Sequence, residues 1–254
     1  MKFVFDLDGT LCFAGQPMTS QIVQALEMLS VAGHEVIFAS ARPIRDMLPV
    51  IAPNLHNCSM IGGNGSLIAV KREVVHSSAF SEKEWQRIQQ LIEEHQATYL
   101  IDSEWDYAYT GDEVHPIRQN VDPGKFAKRV ALEELDPIVK VLFLTADKMD
   151  ELASKLIALD VYVNRHDAEK VLDISPKGVH KWSALQRLEV GEKDYIAFGN
   201  DANDQTLFIN AHYAVQVGSC ETLLQYSDEI IPLTQDYERV IVERIRFLSK
   251  MYSH

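Results

Sequence analysis

Two aspartates, Asp6 and Asp8, stand two positions apart directly after the apolar segment Phe3-Val4-Phe5. Carboxylates placed this close at the end of a strand can face one pocket, where a cation or a bound proton must relieve their repulsion. Mg²⁺ suits such a pair, because it prefers oxygen ligands and takes only one or two carboxylates from a protein. A plain turn at Asp8-Gly9 is the alternative, but the apolar strand before it favours a functional site.

Polar side chains also follow other apolar segments of the chain. Open parallel sheets bind ligands beyond the carboxyl ends of their strands, so we expect one crevice to unite these side chains with Asp6 and Asp8. The residues in question are Ser40, Lys181 and the cluster Asn200, Asp201, Asn203 and Asp204.

The elements that must position these residues form a strand–helix–strand pattern at both ends of the chain. Residues 3–5 and 35–39 are apolar strands joined by an amphipathic helix that stops at Gly33, which predicts a βαβ unit in a parallel sheet. Further short strands at 195–198, 214–217 and 229–231 and a last helix at 237–251 resume the pattern. The predicted fold class is therefore α/β.

The middle of the chain has a different texture, with an amphipathic helix, a hairpin with alternating residues and further single strands. We interpret residues 80–175, called the insertion below, as an inserted α+β domain. Residues 1–79 and 176–254 then form the core domain.

Composition limits the possible partners. The chain has 254 residues and a formal net charge of −13. This charge argues against nucleic acid or an anionic membrane as a partner, because such binders need a basic patch. An anionic substrate would need local positive charge from lysines or a metal. The oligomeric state is left open.

The three cysteines and the N-terminus bear on the compartment. Cys12, Cys58 and Cys220 are far apart and show no CxxC spacing, so the sequence suggests neither a disulfide framework nor a zinc site. The chain shows no signal-peptide core and no apolar run that approaches a membrane span. We therefore expect a soluble, cytoplasmic protein.

Four segments of the chain resemble, in order, the four motifs of the haloacid dehalogenase (HAD) superfamily. Asp6-Leu7-Asp8-Gly9-Thr10 resembles the first motif, and Ser40-Ala41-Arg42 the second, which is usually Thr-Gly-Arg. Lys181 after Gly178 resembles the third, and residues 199–204 the fourth. The insertion lies between the second and third motifs, which is similar to the C2-type cap of the Cof-like HAD phosphatases. The resemblance covers the whole chain and implies a Rossmann-like doubly wound core.

The resemblance implies a magnesium-dependent phosphatase for a small phosphorylated metabolite, such as a sugar phosphate. Asp6 would be the nucleophile that forms an aspartyl-phosphate, and Asp8 the general acid and then the general base. The phosphate would be bound by Leu7, Ser40, Ala41, Lys181 and Asn203. Mg²⁺ would be bound by Asp6, Asp8, Asn200 and Asp204.

Several assignments keep an alternative. The family more often has aspartate at the position of Asn200, so Asp201 could be the metal ligand instead. Lys177 competes with Lys181 for the third motif, and Asn64 either borders the pocket or belongs to a plain turn. In the insertion, four residues could face substrate or simply pack a sheet. These four are Trp105, Tyr107, Tyr109 and Arg118.

Two other functions also fit these residues. One is a phosphosugar mutase, because related caps occur in phosphomannomutases. The other is a binding protein that keeps the fold without turnover, which only Asn200 favours. The intact Asp6, Asp8 and Lys181 argue against the second of these.

Overall fold

The structure is a computed structural model that describes residues 1–166 and 170–253. Within these residues, the strands form one sheet of eight and one sheet of five. In chain order they are β1 Lys2–Phe5, β2 Glu35–Ala39, β3 Ser59–Gly62, β4 Leu67–Val70, β5 Glu73–Ser77, β6 Thr98–Asp102, β7 Tyr107–Tyr109, β8 Lys140–Thr145, β9 Tyr162–His166, β10 Val171–Ser175, β11 Tyr195–Gly199, β12 Tyr213–Val217 and β13 Glu229–Ile231.

The α-helices of the described residues alternate with the strands in the first sheet and cover one face of the second. In chain order they are α1 Ser20–Val31, α2 Ile44–Met47, α3 Glu82–Glu94, α4 Met149–Ala158, α5 Lys181–Arg187, α6 Gln205–Asn210, α7 Glu221–Leu224 and α8 Tyr237–Met251. No helix in the described part of the chain is both long and apolar enough to cross a membrane.

The first sheet has the strand order β13-β12-β11-β1-β2-β3-β4-β5. The six strands from β13 to β3 pair in parallel, and β4 and β5 add an antiparallel hairpin at one edge. β1 lies between β11 and β2, so the connections leave it in opposite directions and open a crevice at its carboxyl end. The predicted α/β fold is confirmed, while the edge hairpin was not predicted.

The central strand β1 is buried on both faces, as its continuous apolar sequence requires. Phe3 and Phe5 pack into one layer with side chains of α1 and α8, whereas Val4 packs into the opposite layer with side chains of α5 and α6. Alternate residues of a strand point to opposite faces, so both layers hold β1 in place. The residue that follows the strand, Asp6, is thereby fixed at the edge of the crevice.

The second sheet has the order β7-β6-β8-β10-β9 and is antiparallel throughout. It is built from chain between β5 and α5. Ile101, Val141 and Phe143 on one face pack against α3 and α4. Helix α3 begins with a capping box, in which Ser81 and Glu84 each accept a hydrogen bond from the other's backbone N–H. The opposite face is turned toward the first sheet.

The two sheets are joined by direct polar contacts. Lys140 of β8 donates to the carbonyl of Ala41 at 2.6 Å. Arg45 of α2 donates to Oδ1 of Asp102 at 2.5 Å, at the end of β6. Ser66 donates to the carbonyl of Val139 at 2.8 Å. These contacts place the second sheet over the carboxyl ends of β1 and β2.

Candidate active site

The backbone ladder of the first sheet continues into the residues that the sequence singled out. The N–H of Asp6 donates to the carbonyl of Phe198 at 2.9 Å, and the N–H of Ser40 donates to the carbonyl of Ile61 at 2.8 Å. Each residue is therefore held by the neighbouring strand just past the end of its own. Parallel pairing brings these two strand ends, and the end of β11, to the same edge of the sheet.

Lys181 lies at the centre of this edge. Its Nζ donates to Oδ1 of Asp6 at 2.7 Å and to Oδ1 of Asp204 at 2.6 Å, and its side chain is completely buried. The ammonium therefore joins the first, third and fourth motifs. The rival residue, Lys177, forms an exposed ion pair with Asp160 instead, so the structure brings Lys181 and not Lys177 into the site.

Burial and charge act against each other on these groups. Burial raises the pKa of Asp6 to about 7, although the Lys181 ammonium acts in the opposite direction. Burial acts to lower the pKa of Lys181, but the carboxylates of Asp204 and Asp6 outweigh it, so the pKa is raised. Lys181 is therefore a permanent positive charge at neutral pH.

Asp204 fixes the loop of the fourth motif. While its Oδ1 accepts from Lys181, its Oδ2 accepts the backbone N–H of Asn200 at 3.0 Å and of Asp201 at 3.2 Å. A Cβ at Gly199 would lie 2.6 Å from Cγ of Asp204. Only glycine leaves room for the carboxylate to reach these amides.

Asn200 contacts the first motif. Its Oδ1 accepts from the hydroxyl of Thr10 at 3.3 Å, and a Cβ at Gly9 would lie 2.1 Å from its Nδ2. Gly9 also has a φ of +79°, which favours glycine on backbone grounds. Asp201 is exposed, and its Oδ1 accepts from the N–H of Ala202.

The oxygen donors around Asp6 fit a magnesium ion. Among the described residues, no three His, Cys, Asp or Glu side chains group so as to hold a metal by themselves. Mg²⁺ needs less, because it keeps several waters and accepts amide and carbonyl oxygens. Asp6, the carbonyl of Asp8 and the amide oxygen of Asn200 offer such a set. Asp204 fits beside the metal, since its carboxylate already accepts three hydrogen bonds.

Asp8 is held by Arg42, a pairing that the sequence did not reveal. Nε of Arg42 donates to Oδ2 of Asp8 at 2.7 Å, and Nη2 donates to Oδ1 at 2.6 Å. The Asp8 side chain is 49% exposed, in contrast to the buried Asp6. The two aspartates of the first motif therefore have different environments: Asp6 is paired with Lys181, and Asp8 faces the open side of the crevice.

The other predicted phosphate-binding residues lie around Asp6. Ser40 is buried, and its Oγ accepts the N–H of Arg42 at 3.1 Å. Leu7 is buried between Asp6 and Asp8 in the same loop, and its carbonyl accepts three backbone N–H groups of residues 10–12. Ala41 is the residue whose carbonyl accepts from Lys140. All three therefore have fixed backbones at the mouth of the crevice.

Asn203 joins the fourth motif to the second sheet through Asn64. Its Nδ2 donates to Oδ1 of Asn64 at 3.2 Å, and Nδ2 of Asn64 donates to Oδ2 of Asp173 at 2.9 Å. Asn64 is buried and has a φ of +58°, a conformation that asparagine tolerates. It is thus part of a hydrogen-bond chain at the site as well as of a turn.

A cavity of about 350 Å³ opens between the two sheets beside this site. Asp8 and Arg42 line it from the first sheet, and Asp102, Lys140 and Asp173 line it from the second. Asp173 also forms an ion pair with Lys140 at 3.1 Å. The cavity therefore reaches from the residues of the first two motifs to the underside of the insertion.

The four insertion residues proposed from the sequence do not line this cavity in the described structure. Tyr107 and Tyr109 are buried in an apolar cluster with Leu100 and Leu142, in agreement with the alternative that they pack the sheet. Trp105 donates to the carbonyl of Phe126, and Arg118 pairs with Glu113. Aromatic residues on strands more often pack a sheet, and Tyr107 and Tyr109 on β7 do so.

The residues that sequence reasoning missed are charged residues in or next to apolar strands. Asp173 interrupts the apolar run 171–174, Asp102 ends the apolar strand β6, and Lys140 begins the apolar strand β8. A charge that is buried in a strand needs a partner, so such positions could have been singled out as site candidates. Arg45 carried no comparable local signal, and Arg42 was named only as the last residue of the second motif.

A parallel sheet with an acidic first motif, a buried lysine and an acidic fourth motif at its strand ends defines a HAD-like hydrolase. The family of haloacid dehalogenase-like hydrolases matches residues 3–240. The chain therefore belongs to this family, and the predicted membership of the HAD superfamily is confirmed.

Comparison with individual proteins agrees with this assignment. The chain is 27% identical over 241 residues to a candidate phosphatase of Mycoplasma genitalium, covering 84% of this chain and 86% of the relative. A haloacid dehalogenase-like hydrolase of B. subtilis has a similar structure, with a TM-score of 0.79, 18% identity and coverage of 98% and 100%. A sugar phosphatase of HAD subclass IIB has a TM-score of 0.76, 17% identity and coverage of 97% and 98%.

Proposed function

We propose that the protein is a phosphatase that hydrolyses a small phosphorylated metabolite, such as a sugar phosphate, through an aspartyl-phosphate on Asp6. The observation that carries this proposal is the buried ammonium of Lys181 between Asp6 and Asp204, with Asp8 at the adjacent cavity. The relative from Mycoplasma genitalium and the structurally similar sugar phosphatase support the same reaction class.

The first step is attack of the Asp6 carboxylate on phosphorus, with breakage of the bond to the leaving alkoxide. A carboxylate that approaches a phosphate dianion meets repulsion of about 4 kcal/mol per charge pair at ~4 Å and an effective dielectric near ~20. Lys181 offsets this repulsion because its Nζ contacts Asp6 directly. Asp8 gives its proton to the leaving oxygen, which makes an alcohol the product.

The second step regenerates Asp6. Asp8, now ionised, takes a proton from water, and the resulting hydroxide attacks the phosphorus of the aspartyl-phosphate. The acyl–phosphate bond breaks, inorganic phosphate forms, and Asp8 is again protonated. The half-exposed position of Asp8 on the cavity gives both the alkoxide and the water access to it.

The remaining motif residues bind the phosphoryl group and the metal. Ser40 and the amides of Leu7 and Ala41 bind phosphoryl oxygens, together with Lys181 and Asn203. Asp6, the Asp8 carbonyl and Asn200 would hold Mg²⁺, with Asp204 beside it, and the bound ion would supply the positive charge that two anionic reactants need.

The insertion, residues 80–175, serves in this proposal as a cap that selects the leaving group. Its sheet covers the crevice, and the contacts of Lys140, Asp102 and Asp173 with the core hold it there. Water exclusion beneath a cap strengthens the electrostatic interactions of the site.

A cytoplasmic location is also proposed, since the structure shows Cys12, Cys58 and Cys220 as free thiols.

Turnover of p-nitrophenyl phosphate tests this function. We expect phosphate release with Mg²⁺, its loss on addition of a chelator, and its loss in Asp6→Asn. Absence of phosphate release from the wild-type protein in the presence of Mg²⁺ would contradict the proposal. Conversion of a phosphosugar that requires an activating bisphosphate, without net phosphate release, would indicate a mutase instead.

A further inference from the structure

The face of the second sheet that looks toward the core carries three charged and three apolar side chains. Asp102 and Lys140 are directly opposite each other on β6 and β8, and Asp173 lies on the next strand, opposite Leu142. Since side chains alternate between faces, the residues two positions away share the same face. Those residues are Leu100, Leu142 and Val171, and all six line the cavity beside the candidate active site.

The charged groups lie on the side nearest to the core, because Asp173, although it is opposite Leu142, reaches the Lys140 ammonium at 3.1 Å. Each member contacts a core residue: Lys140 the carbonyl of Ala41, Asp102 the guanidinium of Arg45, and Asp173 the amide of Asn64. Leu100 and Leu142 lie two residues further along their strands than Asp102 and Lys140, a distance of about 7 Å, and Val171 lies the same distance beyond Asp173. The cavity therefore has a charged end beside Asp8 and Arg42 and an apolar end beyond it.

Asp102 has hydrogen-bonding capacity that the protein does not use. Its side chain is 1% exposed, and its Oδ1 accepts from Arg45 at 2.5 Å. Its Oδ2 has no hydrogen-bond partner among the described residues. A buried acceptor without a donor is unfavourable, and a ligand that supplies the donor removes this cost. Lys140, in contrast, is already bonded to both Ala41 and Asp173.

We propose that Asp102 determines specificity by accepting a hydrogen bond from a hydroxyl or ammonium group of the leaving group. Leu100, Leu142 and Val171 then receive an apolar end of the same molecule. The inference rests on the proposed phosphatase function and defines its substrate class. That class is the phosphomonoesters of amphipathic alcohols, with a donor near the ester carbon and a hydrocarbon part further out.

The lining of the cavity argues against one other class of phosphometabolite. None of the described residues that line it is aromatic, so the cavity offers no ring on which a nucleobase could stack.

Arg45 is a positioning residue in this arrangement. Its side chain is completely buried, and it also pairs with Asp46 at 3.3 Å, so it holds the Asp102 carboxylate in one orientation.

Three phosphate esters distinguish the contributions of the charged end and the apolar end of the cavity to kcat/KM. We choose 2-hydroxyhexyl phosphate, hexyl phosphate, which lacks the donor, and glycerol 3-phosphate, which lacks the hydrocarbon end. With the wild-type enzyme, we expect the hydroxyhexyl ester to have a kcat/KM higher than that for hexyl phosphate by on the order of 10²-fold. We expect its advantage over glycerol 3-phosphate to be at least about tenfold.

Two variants test which residue is responsible for each kcat/KM ratio. Asp102→Asn should bring the kcat/KM ratio between the hydroxyhexyl and hexyl esters close to one. Val171→Thr, which keeps the side-chain shape, should reduce only the advantage over glycerol 3-phosphate. Asp150→Asn on the exposed side of the insertion is the matched control and should leave both ratios unchanged.

The wild-type comparison needs no variant, so it decides the question even where Asp102→Asn does not fold. Equal kcat/KM values for the hydroxyhexyl and hexyl esters, with p-nitrophenyl phosphate still hydrolysed, would overturn this inference and leave the phosphatase function standing. An undiminished ratio in a folded Asp102→Asn variant would overturn the role of Asp102. Failure to hydrolyse any ester, including p-nitrophenyl phosphate, would overturn the proposed function and the inference with it.

Discussion

Arg42 donates to both carboxylate oxygens of Asp8, with Nε at 2.7 Å from Oδ2 and Nη2 at 2.6 Å from Oδ1. This pair joins the second motif to the first. A carboxylate that accepts on both oxygens is in its ionised form, whereas the proposed general acid must carry a proton. One oxygen of Asp8 must therefore leave Arg42 before Asp8 can protonate a leaving group. Arg42 sets the resting position of Asp8 and acts through it.

Replacing Arg42 by lysine tests this relationship. Arg42→Lys keeps the charge but cannot donate to both oxygens in the same plane. We expect kcat for alkyl phosphates to fall by roughly 10–10²-fold, with a smaller loss for p-nitrophenyl phosphate, whose leaving group needs little protonation. Asp8→Asn should show the same selectivity with a larger loss. Arg239→Lys, in an exposed ion pair with Glu243 on α8, is the control. Equal losses for both esters would contradict a role through Asp8.

Removal of the Lys181 ammonium should affect stability as well as turnover. Lys181→Met leaves the buried carboxylates of Asp6 and Asp204 without their cation, and loss of one partner of a buried pair typically costs about 3–5 kcal/mol. We expect the free energy of unfolding, measured with urea, to fall by that order. Adding Asp204→Asn should restore part of the stability and none of the activity. Lys177→Met, which alters an exposed pair, should change neither stability nor turnover. An unchanged free energy of unfolding in Lys181→Met would contradict the assignment of Lys181 as the cation of the site.

Asp46 should make stability depend on pH. Burial raises its pKa to about 7 in the folded protein, against an ordinary value near ~4. Between these values the folded state binds more protons than the unfolded state, so the contribution of Asp46 to stability decreases as pH rises.

Asp46→Asn cannot titrate and still offers an oxygen to the N–H of Asp122. We therefore expect its free energy of unfolding, relative to the wild type, to increase between about pH 4 and 7 and to level off above, by at most roughly 1.4 kcal/mol per pH unit. Urea titrations across this range measure it. A difference that is independent of pH would show that Asp46 is not held in the protonated form.

Asn200 should set the magnesium requirement. Its amide oxygen can coordinate a hard cation but brings no negative charge. We expect Asn200→Asp to lower the Mg²⁺ concentration that gives half-maximal rate. The matched Asp201→Asn should have little effect, because Asp201 is exposed, whereas Asn200 accepts a hydrogen bond from Thr10 of the first motif. The reverse pattern would move the ligand role to Asp201.

Local sequence patterns predicted the parts of the fold that local chemistry determines. The apolar runs of β2 and β11 and the periodicity of α8 predicted elements with bounds close to those observed. The hairpin of β4 and β5 was not predicted, because the glycine-rich segment 62–65 before it predicts only a turn. Its half-exposed outer strand shows no sustained apolar alternation.

Contacts between distant segments explain what the sequence did not reveal at the site. The pairing of Arg42 with Asp8, and of Arg45 with Asp102, joins positions 34 and 57 residues apart. No spacing rule relates such positions, since the first pair meets only when β1 and β2 pair in the first sheet and the second only when the insertion folds over the core. The motif residues could be singled out because each follows a strand. The charged cavity residues of the insertion carried only the weaker signal of a charge in or next to an apolar strand, and which core residues they contact depends on how the insertion packs on the core.

The phosphorylation state of Asp6 during turnover decides whether the covalent mechanism is correct. Wild-type protein is mixed with p-nitrophenyl phosphate and Mg²⁺, quenched in acid within one turnover, and analysed as peptides by mass spectrometry. We expect one phosphoryl group on the peptide that contains Asp6, released by hydroxylamine as an acyl phosphate must be, and absent from Asp6→Asn. Release of inorganic phosphate at the wild-type rate by Asp6→Asn, with no phosphoryl group on this peptide, would contradict the mechanism.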